Sequence, residues 1–110
     1  NLYYNRAYLK EELEDYKGAV KDYDQVLSHT PDDAAAYYDR ANVKILLEDI
    51  EGAVKDFSKA IEHDSQKAEY FRGRASAYFQ LSDPKACDDW EQAKKLGDDR
   101  ADFFLKKYCQ

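Results

Sequence analysis

The chain has 110 residues, with 17 Lys and Arg against 23 Asp and Glu, a net charge of −6 and 15% aromatic residues. That length suits a single core, the aromatic content argues against disorder, and no apolar run is long enough for a transmembrane helix. The acidic balance argues against a nucleic-acid backbone as partner, and four Gly with two Pro suit long regular elements.

A shift of 34 residues lays the first third of the chain on the second. Tyr3, Tyr4, Arg6, Ala7, Lys10, Leu13 and Asp15 fall on Tyr37, Tyr38, Arg40, Ala41, Lys44, Leu47 and Asp49. Gly18, Ala19, Val20, Lys21, Asp22 and His29 fall on Gly52, Ala53, Val54, Lys55, Asp56 and His63. A third copy keeps Arg74, Ala75, Leu81 and Asp83 in register, then loses one residue in a turn, where a length change does least harm.

Each copy reads as two helices. In copy one, Asp15 caps a second helix with Ala19, Val20, Tyr23, Val26 and Leu27 as its apolar stripe. In copy two, Ala34 to Leu47 carries Tyr37, Ala41, Ile45 and Leu47 on a helical period. Asp49 then caps a helix from about Ile50 to His63, with Ala53, Val54, Phe57, Ala60 and Ile61 on one face. In copy three, Asp83-Pro84 reads as an N-cap followed by Pro at the first helical position. Gly97 ends that helix, and Asp98 or Asp99 caps a seventh helix to about Lys107. In that helix Phe103, Phe104 and Leu105 are expected toward the chain, with Asp102, Lys106 and Lys107 outward.

A 34-residue helix–turn–helix unit resembles the tetratricopeptide repeat. The family's large, small, small, aromatic, small positions are filled by Tyr37, Ala41, Ala53, Phe57 and Ala60 in copy two. Copy one has Tyr3, Ala7, Ala19, Tyr23 and Val26; copy three has Phe71, Ala75, Ala86, Trp90 and Ala93. Two departures stand out. The turn proline survives only as Pro31, and Lys10 and Lys44 replace an aromatic that returns as Tyr78. The resemblance implies an all-α right-handed superhelix of about seven helices. Its units would be 1–33, 34–67 and 68–98, with a capping helix over 99–110. The start Asn1-Leu2-Tyr3, without Met, reads as a fragment of a longer protein that carries more repeats.

By the same resemblance, function is non-catalytic binding of a protein or peptide on the concave face of the first helices. The alternative is a structural spacer within a larger multi-repeat protein. The face maps to Tyr4, Tyr8 and Glu11, then Tyr38, Asn42 and Ile45, then Arg72, Ser76 and Phe79. Some family members grip a peptide's terminal carboxylate there with basic and amide side chains. Here Tyr4, Asp39, Glu69 and Gly73 stand in that clamp's places, and an Asp repels a carboxylate. The expected ligand is bound by stacking and hydrogen bonds, or is a basic segment drawn to an acidic surface.

No catalytic constellation, cofactor motif or phosphate loop is present in the sequence, and no membrane insertion or metal is expected. His29 and His63 repeat near helix C-termini, where a cation complements the helix dipole. Two further sets carry structural expectations. Asp22–Arg40 and Asp56–Arg74 lie equidistant from the intervening turns and are expected to pair between repeats, with a weaker Asp89–Lys107 pair and no partner for Arg6. Cys87 and Cys109 flank Asp98 at equal distance, which suits a disulfide locking the last helix. A disulfide fits export to an oxidising compartment such as a bacterial envelope; free thiols fit the cytoplasm.

Overall fold

The computed structural model describes residues 1–110 as seven α-helices: α1 (Leu2–Glu12), α2 (Tyr16–His29), α3 (Ala34–Leu46), α4 (Ile50–His63), α5 (Ala68–Gln80), α6 (Lys85–Lys95) and α7 (Asp99–Tyr108). The helices follow one another as antiparallel neighbours, so α1–α2, α3–α4 and α5–α6 form hairpins and α7 packs on α6. The stack is elongated, 44 × 25 × 19 Å. No helix is long and apolar enough to cross a membrane.

All the helix starts but that of α5, whose N-cap is Lys67, have a short side-chain acceptor at or beside the N-cap. Asn1 accepts from the Tyr3 N–H, Asp15 from Gly18, Asp33 from Ala36, Asp49 from Gly52, and Asp98 from Arg100. Asp83 accepts from Lys85, so α6 begins one residue later than the Pro84 start expected from the sequence. Helices α1, α3 and α5 end alike. The residue after the C-cap, Glu14, Glu48 or Ser82, takes φ of 59°, 64° or 57°, and Gly97 does the same after α6 at 101°. The next N–H then bonds back into the last turn, from Asp15 to Lys10, Asp49 to Lys44, Asp83 to Tyr78 and Asp98 to Ala93. This is the left-handed cap that closes orphan carbonyls.

Small residues allow close helix approach while aromatics fill the gaps between hairpins. Ala7, Ala19, Tyr23 and Val43 form one cluster; Ala41, Ala53, Phe57 and Ala77 form the next. The last cluster gathers Phe71, Ala75, Ala86, Trp90, Ala93, Ala101 and Leu105 around the junction with α7. Gly73 is needed where α5 meets α4: a Cβ on it would sit 2.5 Å from the Phe57 ring of the second cluster.

The charge pairing differs from the expectation. Asp22 binds Arg6 (2.7 Å) and Lys10 (3.2 Å). Asp56 binds Arg40 through two hydrogen bonds of 2.8 Å and Lys44 at 3.0 Å, and Asp89 binds Arg74 at 2.7 and 2.8 Å. Each of these three buried Asp therefore pairs within its own hairpin. Neither Asp22–Arg40 nor Asp56–Arg74 forms, and Arg6 has a partner. Equal height along antiparallel helices does not fix direction around the axis. The guanidinium points at the following helix and only its outer nitrogen reaches back, from Arg40 to Asp24 (2.7 Å) and from Arg74 to Ser58 (3.0 Å). Lys107 lies over the Phe103 and Tyr108 rings, away from Asp89.

On α7, Ala101 and Leu105 are buried and Phe104 is half-buried, whereas Phe103 is 59% exposed. The expectation for Phe103 is corrected by the helical period: 101, 104, 105 and 108 share a face, and 103 turns off it. Cys87 and Cys109 are joined, with Cα atoms 5.9 Å apart. His29 and His63 stack on Tyr3 and Tyr37, at ring centroid distances of 6.1 and 5.8 Å.

Candidate peptide-binding face

Helices α1, α3 and α5 stand side by side because each is followed by an antiparallel return helix of similar length. The candidate binding residues lie on these three helices, all but Phe79 toward the face they share. Tyr38, Asn42 and Ile45 on α3, with Arg72 and Ser76 on α5, line one groove of about 260 Å³. Phe57 forms its floor from α4, and Glu69, Gly73 and Gln80 complete the α5 side. Tyr38 is fixed by its neighbours: its ring lies 4.9 Å from Tyr70 and 5.8 Å from Phe57. Asn42 and Ser76 are exposed and carry free hydrogen-bonding groups.

The α1 residues adjoin this groove through Asp39. Tyr4 is half-buried edge-on to Tyr23, at 5.5 Å, and its hydroxyl donates to the Asp39 carboxylate. Tyr23, fully buried, donates to Glu11. Tyr8 is exposed beside Tyr4, with ring centroids 6.0 Å apart. Burial pushes the Asp39 carboxyl up; the Tyr4 hydroxyl partly offsets this, and the nearby Glu11 and Asp33 charges add to it. The Asp39 charge, followed by burial, pushes the Tyr8 hydroxyl up in turn. Burial, then the bond to Asp39, raises Tyr4 much further. These directions agree on one point: this end of the face is negative.

Two candidates behave differently from the rest. Arg72 is tied to the buried Asp98 at 2.7 Å, so its charge braces the α6–α7 turn against α5. Phe79 lies away from the groove, 4.6 Å from Tyr108 and 5.8 Å from Trp90. It belongs to a second cleft of about 500 Å³ where α5, α6 and α7 meet, beside Pro84, Cys87 and Trp90. Sequence reasoning did not place Phe57 and Gln80 in the groove, and named Gly73 there as a departure from the carboxylate clamp and not as room for Phe57. A Gly in the middle of α5 was the available signal, since such a position is unfavourable in a helix unless another group must come close.

The tetratricopeptide repeat family model matches residues 1–33 and 34–67. A search of curated proteins by sequence finds no match. Among solved structures, the first TPR of Spaghetti (RPAP3) bound to the HSP90 peptide SRMEEVD superposes with a TM-score of 0.89 at 19% identity, covering 96% of this chain and 86% of that one. MamA gives 0.83 at 22% identity, covering 87% of this chain and 53% of its own. YrrB, described as a TPR protein with an unusual peptide-binding site, gives 0.80 at 27% identity over 90% of this chain and 53% of that one. The chain thus spans about half the length of MamA and of YrrB.

Proposed function

The chain belongs to the tetratricopeptide repeat family, and from that premise we propose that it is a non-catalytic module that binds a protein or peptide on the face of α1, α3 and α5. The observation that carries this reading is the groove between α3 and α5. A fixed aromatic, Tyr38, stands there beside exposed amide and hydroxyl groups at Asn42 and Ser76. An extended peptide needs such a surface: a rigid apolar contact plus hydrogen-bonding groups for its backbone. The peptide complex of a structural neighbour supports the reading in general terms.

The groove does not suit an acidic C-terminus like that of the peptide bound by that neighbour. Asp39 and Glu69 stand where a carboxylate would have to be neutralised, and Arg72 is already engaged by Asp98. The test uses exposed groove positions, because Tyr38→Ala would also remove core packing. Asn42→Ala and Ser76→Trp are expected to abolish retention of partner proteins from a lysate of the source cell while leaving helicity and melting unchanged. If wild type and both variants retain the same proteins, or none, the module acts as a spacer and the binding reading fails.

A further inference from the structure

The charges on the three inner helices are sorted. Their basic residues are Arg6 and Lys10 on α1, Arg40 and Lys44 on α3, and Arg72 and Arg74 on α5. Every one is held by a carboxylate that lies outside these helices. Arg6 and Lys10 bind Asp22, Arg40 and Lys44 bind Asp56, Arg74 binds Asp89, and Arg72 binds Asp98. The carboxylates of the same helices are Glu11, Glu12, Asp39 and Glu69, and none of them has a basic partner. What reaches Asp39 and Glu11 is instead a pair of tyrosine hydroxyls. Such bonds hold the two carboxylates in place and leave their charge uncompensated.

We infer that the partner's bound segment is basic, an extended Lys- or Arg-containing peptide whose cations meet Asp39, Glu11 and Glu69 along the face of α1, α3 and α5. This rests on the peptide-binding reading above and adds the chemistry of the partner. Three features support a cationic occupant over a neutral one. Opposite charge at a groove steers encounter and rejects like-charged competitors. Tyr8, 53% exposed beside Tyr4, presents a ring on which a guanidinium can stack. Burial and then repulsion from Glu11 and Asp33 disfavour the Asp39 charge, and a cation relieves that repulsion where an anion worsens it.

The experiment captures the whole chain on three immobilised pools of random decapeptides. One pool draws its charged positions from Lys and Arg, one from Asp and Glu, and one has none. The basic pool is expected to retain the chain at least about tenfold better than the others, in line with close charge pairs across an interface. Glu11→Gln, Asp39→Asn and Glu69→Gln together are expected to remove that preference. The amides still accept the tyrosine hydroxyls, so the fold is kept. Glu51→Gln, Glu62→Gln and Glu91→Gln remove the same charge from the outer helices and are expected to leave capture intact. If both triple variants lose capture equally, net charge alone explains it and the inference falls. Capture by the neutral or acidic pool that is lost in Ser76→Trp overturns the basic partner and keeps the groove. Capture by no pool overturns both.

Discussion

Arg40 shows why pairing is decided one side chain at a time. Its guanidinium gives two hydrogen bonds to Asp56 on the following helix and one to Asp24 on the preceding one. Asp56 is buried, so removing Arg40 leaves a desolvated charge with Lys44 as its one remaining partner, at up to about 3 kcal/mol. Arg40→Met and Asp56→Leu, made singly and together, should show a coupling energy above about 1 kcal/mol in a denaturant series. Arg40→Met with Asp22→Leu should show none. The Asp22 carboxyl is held down by its bonds to Arg6 and then Lys10, against burial, which pushes it up. A depressed folded value means stability that is present above the unfolded value near about 3.9 and lost as pH falls through the folded one. Asp22→Asn should therefore flatten the acid limb of a melting curve taken against pH. The left-handed residues make a separate prediction. Glu48 sits at φ 64°, where a Cβ is unfavourable by about 1–2 kcal/mol and Gly is not. Glu48→Gly should raise stability by roughly 0.5–1 kcal/mol, the gain being reduced by the freer unfolded chain.

Among the elements, α7 depends most on particular contacts, because it packs chiefly on α6. Leu105 and Ala101 are buried against the α6 side, Phe104 stacks on Trp90 at 5.2 Å, and the Cys87–Cys109 bond fixes the far end. Phe104→Ala should cost about 2–3 kcal/mol, below the value for a fully buried Phe, while Phe103→Ala should stay within about 0.5 kcal/mol. The disulfide closes a loop of 22 residues, worth about 3 kcal/mol in the chain-entropy view. Reduction, or Cys109→Ser, should lower the melting temperature and free α7 before the hairpins unfold. Ellman titration of denatured, unreduced protein made under oxidising conditions should find no thiol. Helices of this kind are legible in sequence because caps, small residues and apolar period are local signals. Their facing directions are not. The same equal-distance construction set Cys87 opposite Cys109 and Asp22 opposite Arg40. The structure joins the first pair and separates the second, since height comes from counting residues and azimuth comes from packing.

At the scale of the whole molecule, the charge sorting explains both a stability penalty and a use for it. The resemblance to the tetratricopeptide repeat made the α1–α3–α5 face legible, since the family's positions map it onto Tyr4 and Tyr38, one period apart. Its acidic residues were legible too, but counting 17 bases against 23 acids does not tell which bases are already spent on buried partners. Once Arg6, Lys10, Arg40, Lys44, Arg72 and Arg74 are assigned, Asp39 is left half-buried among Glu11 and Asp33, and its carboxyl is pushed up. A carboxyl raised in the folded state is one whose ionised form the fold disfavours, so its charge weakens the structure at neutral pH. The sign is opposite to that of Asp22: the penalty disappears as pH falls through the raised folded value, where Asp39 takes up a proton. Asp39→Asn keeps an acceptor for the Tyr4 hydroxyl and removes the charge. It should therefore melt at a higher temperature than wild type at pH 7, and the difference should close on acidification. If the charge is retained for a basic partner, the more stable variant should also be the weaker binder of the Lys- and Arg-containing pool. An Asp39→Asn chain that melts lower at pH 7 would show that the carboxylate is a structural anchor for Tyr4 and that the sorted charge has no separate role.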